Sequence, residues 1–123
     1  NMTINGKERN FFLTVGASCA IAELCPDGDI ANISELFSGR YSKNMTSLAK
    51  FIVAMNRGYE ARIHGDAEKP DVVTVRELMA LTMDEFRQAE REAIAAYTNN
   101  SKTTIETAEP KGSKKNNEDG DAS

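Results

Sequence analysis

The sequence predicts an α+β fold, mainly α-helical: an N-terminal β-hairpin packed on four to five helices, followed by a disordered tail. Three observations carry this. Asn5-Gly6 stands between two short stretches of strand-like composition, and such a pair favours the tight turn whose central residues both take positive φ. Apolar residues then recur at three- and four-residue steps through most of the chain, the period of a helix with one buried face. The last fifteen residues, EPKGSKKNNEDGDAS, contain no Leu, Ile, Val, Phe or Tyr. They cannot bury enough apolar surface to offset the entropy of ordering.

The elements follow in order. Met2 to Ile4 forms the first arm of the hairpin. After the turn, Phe11, Leu13 and Val15 alternate with Phe12 and Thr14, which predicts a second strand with one strongly apolar face. A two-stranded hairpin is marginal by itself, so it must lie on helices or pair with another chain's edge. ASCAIAELC predicts a helix with Ser18 as N-cap and Pro26 as a stop. Its apolar residues go nearly all round, which predicts burial on all sides. DIANISELFSG places Ile30, Ile33, Leu36 and Phe37 on one side of a second helix, with Gly39 suited to its C-cap. RYSKN reads as a linker.

The longest amphipathic stretch aligns Met45, Leu48, Phe51, Ile52, Met55, Tyr59 and Ile63. Gly58 within it costs about 1 kcal/mol relative to Ala and marks a weak point. After a loop at DAEKPD come two capping boxes, Thr74 with Glu77 and Thr82 with Glu85. In each, the Thr oxygen accepts the backbone N–H three residues on, while the Glu reaches back to the N–H of the cap. Phe86, Ala89, Ala93, Ile94 and Tyr97 form the inner stripe of the last helix, and TIET beyond it reads as a strand-like fragment. The expected organisation is a helical domain with hairpin over 1–99 and a flexible polar tail over 100–123.

Charge narrows the function. Residues 1–99 hold eleven Lys and Arg against fourteen Asp and Glu, and the tail four against five, for a net charge of −4. Neither part carries the basic footprint of a nucleic-acid binder. No run approaches the roughly 18 apolar residues of a membrane span. Asn1 precedes Met2, which reads as the native start, and no secretory signal opens the chain. Cys19 and Cys25 are six residues apart, about 9 Å along a helix, beyond the roughly 7 Å Cα separation a disulfide tolerates. Reduced, buried thiols in a cytoplasmic protein are therefore expected.

Catalytic patterns are sparse. VGASCA loosely imitates a nucleophile elbow, but there is one histidine and no alternation of strands and helices to build the sheet such chemistry needs. The segment reads as a strand-to-helix turn with a capping serine. His64, at a helix end beside Gly65, suits the helix dipole, and no Cys/His cluster has metal-site spacing. Asp84 and Glu85 belong to a helix start. No catalytic residue, cofactor or metal site is expected. Met45, Met55, Met79 and Met83 lie on or beside apolar stripes. They fill a core, or they line an adaptable groove for helical segments of a partner.

The opening TINGKERNFFLTVGASCAIAELCP, then LAKFIVAMNRGYE, an acidic loop, VVTVRELMALTMDEFRQAEREAIAAY and a Lys-rich end resemble the tail assembly chaperones of long-tailed bacteriophages and prophages. The resemblance is one of element order and texture over Met2 to about Lys115, with no invariant motif. It implies a protein of the bacterial cytoplasm that binds the long helical tape-measure protein, keeps it soluble and helps recruit tail-tube subunits. It also implies that the tail is where a longer, frameshifted product continues. The stripe Leu48, Phe51, Ile52, Met55 and Tyr59, with Met79 and Met83 near it, is the expected partner-binding surface. The hairpin edge is a second one, for a homo-oligomer. The alternative is a structural virion component, such as a small head–tail connector or tail subunit. An enzyme and a DNA-binding regulator are weaker rivals, opposed by the sparse chemistry and the acidic balance.

Overall fold

The computed structural model describes residues 2–38, 41–65 and 70–107. The chain is α+β and mainly helical, and among the described residues it has one antiparallel hairpin and five α-helices. Strands β1 (Met2–Ile4) and β2 (Lys7–Arg9) pair Met2 with Arg9 and Ile4 with Lys7. Asn5 and Gly6 turn the chain at φ 54° and 77°, as the two-residue turn requires. The helices are α1 (Val15–Ala22), α2 (Ile33–Ser38), α3 (Tyr41–His64), α4 (Val75–Met79) and α5 (Met83–Thr107). Helix α3 is the hub, and each of the other four packs against it.

The second strand differs from expectation. It is formed by polar Lys7–Arg9, and residues 10–14 lie in no strand. Helices satisfy their backbone instead. Phe12 N–H donates to the Met55 carbonyl of α3 at 3.0 Å, and Leu13 N–H to Asn100 Oδ1 of α5 at 2.9 Å. Phe11 is buried, Phe12 and Leu13 are half-buried, and Val15 is 82% exposed.

Helix α1 begins before Ser18. Thr14 is its N-cap, with Oγ1 accepting Ala17 N–H at 3.1 Å, so Ser18 lies one turn inside. Only Ala17 and Ile21 of α1 are buried, and Cys19 and Ala20 face solvent. An apolar sequence on every side did not bring burial on every side. Cys25 is buried and Cys19 exposed, and both thiols are free. Pro26 opens a 3-10 turn, and a second 3-10 turn at Ile30–Asn32 leads into α2.

The expected linker RYSKN is in part the first turn of α3, which starts at Tyr41. At its other end, TIET continues α5, which runs through Thr107 and so crosses the expected domain limit at residue 99. Gly39, most of the loop before Pro70 and the tail beyond Thr107 lie outside the described residues. Both capping boxes form. Thr74 N–H meets Glu77 Oε1 at 2.9 Å and Glu77 N–H meets Thr74 Oγ1 at 3.1 Å. The corresponding bonds of Thr82 and Glu85 are 2.9 and 3.2 Å.

The core sits on α3. Leu48, Ala49, Phe51, Ile52 and Met55 meet Phe86, Ala89 and Ala93 of α5, Ile21 of α1, Leu36 of α2 and Leu78 of α4 in one apolar cluster. Phe37, Phe51 and Tyr97 contact one another edge to face, with centroids 5.1 to 6.3 Å apart. These are favourable ring geometries.

Two α3 residues fix where the rest of the chain can lie. Asn56 is fully buried. Its Nδ2 donates to the Asn10 carbonyl, and its Oδ1 accepts Val73 N–H, both at 2.8 Å. Gly58 is no weak point. A Cβ there would lie 2.2 Å from the Phe12 carbonyl oxygen, so only glycine admits the crossing chain. Replacing Asn56 by Ala strands the buried Val73 N–H, at about 1–3 kcal/mol, and takes a donor from the half-buried Asn10 carbonyl, at about 1 kcal/mol. The expected loss is about 2–4 kcal/mol in urea unfolding, and a loss under about 0.5 kcal/mol would refute the assignment.

Candidate functional site

The seven residues expected to bind a partner divide sharply. Leu48, Phe51, Ile52 and Met55 are at most 3% exposed and belong to the core, so in the closed fold they present nothing to a partner. Tyr59 is half-buried. It borders a polar cleft of about 470 Å³ with Glu60, His64, Lys7 and Asp71 on its walls. Met79 and Met83, 46% and 49% exposed, stand on either side of the turn 80–82 between α4 and α5. The stripe therefore separates by helix. The α3 members face inward because four helices pack on that one helix, while the two methionines sit at the end of one short helix and the start of the next.

Other apolar exposure is scattered. Ile63 near the end of α3 is 57% exposed, and Val15 at the start of α1 is exposed beside Gly16, Cys19 and Ala20. His64 is exposed, with Nε2 3.4 Å from Glu60 Oε1 one turn earlier. Gly65, at φ 60°, closes α3 by donating to the Ala61 carbonyl. Among the described residues, no group of three or more His, Cys, Asp or Glu is placed to hold a metal ion. No helix among them is long and apolar enough to cross a membrane.

A polar clamp joins the hairpin to the segment 71–77. Arg9, only 3% exposed, donates to the Asp71 carbonyl and places Nη2 3.1 Å from Asp71 Oδ1. Lys7 pairs with the same carboxylate. Asn5, in the hairpin turn, donates to Glu77 Oε2 at 3.0 Å, and Arg9 Nη2 lies 4.0 Å from Glu77 Oε1. Glu77 thus caps α4 with one oxygen and holds the hairpin with the other. The sequence marked Glu77 as a cap and Asn5 as a turn residue. Nothing in either local pattern links positions 72 residues apart.

The donors around Glu77 hold its carboxyl below the usual range, first the Asn5 side chain, then the Thr74 amide, with the Arg9 charge adding to them. Burial pushes the Cys25 thiol up, and the nearby Asp29 carboxylate adds to it. Burial also raises Tyr97, with a smaller contribution from Cys25.

The chain matches no protein-family model, no curated protein and no solved structure.

Two outcomes follow from these environments. Because the folded-state value of Glu77 is lowered, its contribution to stability is complete above the unfolded carboxylate range, about pH 4.3. That contribution is lost as pH falls through the folded value. Urea midpoints measured from pH 7 to pH 2 should therefore decline less steeply in Glu77→Gln than in the parent, and equal slopes would refute the role. In the native protein, iodoacetamide should modify Cys19 and spare Cys25 until denaturant is added, as peptide mass spectrometry would record.

Proposed function

We propose that the protein is an assembly chaperone for a long helical polypeptide, the tape-measure protein of a long-tailed bacteriophage or prophage, acting in the cytoplasm of the bacterial host. The observation that carries this reading is the pair Met79 and Met83, two flexible thioethers about half exposed on either side of one helix–helix corner. Methionine adapts its shape to varied apolar partners, and an amphipathic helix laid on such a corner gains burial without any bond being made or broken. Support comes also from the order of segments, a hairpin followed by helices, which the resemblance to tail assembly chaperones implies. The acidic balance of the chain favours a polypeptide over nucleic acid as the partner.

The partner-binding surface in this reading is the α4–α5 corner, and the buried α3 stripe serves as its support. Recruitment of tail-tube subunits is part of the same proposal. The two-stranded sheet keeps unpaired edges among the described residues, where a second copy can add a strand.

Co-expression with the long helical protein encoded downstream tests the reading. The parent should render that protein soluble and co-purify with it. Met79→Lys combined with Met83→Lys should abolish co-purification while leaving the free energy of urea unfolding within about 0.5 kcal/mol, as for exposed positions. Leu48→Ala should instead cost about 2–5 kcal/mol of stability. An insoluble partner in the presence of the parent chain would overturn the proposal. Mass spectrometry of purified virions addresses the structural alternative, because a chaperone is absent from the finished particle and a tail subunit is present.

A further inference from the structure

We infer that residues 2–14 form a latch, an N-terminal arm that opens as one unit and uncovers a groove between α3 and the segment 71–79 while the five helices stay folded. The inference does not depend on the identity of any partner.

The arm is fastened at separate points and woven into no larger sheet. Its hairpin has three residues per strand and pairs only with itself among the described residues, a unit marginal on its own. On one side it meets α5, where Leu13 N–H donates to Asn100 Oδ1, and α3. Asn10 accepts from Asn56, Phe12 donates to the Met55 carbonyl, and the Phe12 ring lies 4.7 Å from the Arg62 guanidinium carbon. On the other side Arg9 and Lys7 hold Asp71, and Asn5 holds Glu77. Met2, Ile4 and Phe11 are the apolar side chains it buries.

The walls of the groove are joined without the arm. Asn56 Oδ1 holds Val73 N–H directly, and Val73 and Leu78 are each 1% exposed within the core. Helix α4 packs on α3 and carries its own cap. Helix α1 is likewise independent, because its N-cap bond from Ala17 to Thr14 spans only three residues. Thr14 is therefore a natural hinge, with the self-capped helix on one side and the extended arm on the other.

Opening removes the close crossing at Gly58 and bares the backbone of Met55 and the amide of Asn56 to water, which satisfies the groups the arm had satisfied. The caps and mutual packing of the helices stand without the arm, so it opens below the free energy of global unfolding, at the cost of exposing Met2, Ile4 and Phe11.

Hydrogen exchange on the full chain, followed by NMR across a urea series, tests this. The amides of Phe12 and Leu13 should exchange at least about tenfold faster than the buried amides of α5, with a weaker urea dependence. Asp71→Asn weakens a charge-assisted contact and should speed arm exchange about tenfold without changing α5. Gly58→Ala should abolish arm protection and retain the far-ultraviolet helical signal, since Ala favours the helix. The latch is overturned if Phe12 and Leu13 follow the same urea dependence as α5, or if either variant accelerates α5 and the arm equally.

Discussion

The placement of the N-terminal segment depends on one crossing, where the chain at Phe12 lies directly on the backbone of α3. The helix meets it with a bare glycine, and one turn of the same helix offers the Met55 carbonyl and the Asn56 amide. A buried amide has two donors and an acceptor to satisfy, and leaving them unpaired in a core is costly. Asn56 resolves this by taking one segment from the N-terminus and one from the stretch before α4. The two segments are thereby brought to the same flank of α3, close enough for Arg9 to reach Asp71. Without the glycine the arm would stand off the helix, and the bonds from Asn56 to Asn10 and from Phe12 to Met55 would lengthen.

That placement gives the capping residue Glu77 a second use. A carboxylate at a helix start favours the dipole and satisfies an orphan amide. Here its other oxygen holds Asn5 of the hairpin turn, so local helix chemistry and long-range packing share one side chain. The buried guanidinium of Arg9 is tolerated because the Asp71 carboxylate and carbonyl both accept from it. Buried charges persist where such partners are supplied. The hairpin is therefore held by apolar side chains beneath it and by polar contacts along its flank.

The methionines illustrate how position within the fold assigns a residue its role. Met55 lies at the centre of α3 and is fully buried, whereas Met79 and Met83 are about half exposed at a helix corner. The same soft side chain fills a gap in one place and offers an adaptable surface in the other. A surface of that kind suits reversible contact with a helical polypeptide, and the proposed chaperone role rests on it.

The sequence by itself determined what depends on neighbours in the chain. Asn5-Gly6 specified the turn, Thr74 with Glu77 and Thr82 with Glu85 specified two helix starts, and the apolar stripes marked the buried face of α5 and that of α3 from Leu48 to Met55, though not at Ile63, which is exposed. Tertiary structure decided what those residues meet. The alternation from Phe11 to Val15 marked extended chain, but period two does not say whether a strand or a helix will satisfy its backbone, and here helices did. Helical propensity marked Gly58 as a defect until the crossing chain made it a requirement. The α3 stripe was legible as apolar, yet only the packing of four helices around it separated core from candidate surface and left Met79 and Met83 outside. Burial is a property of what packs against a residue, and that information lies at distant positions in the chain.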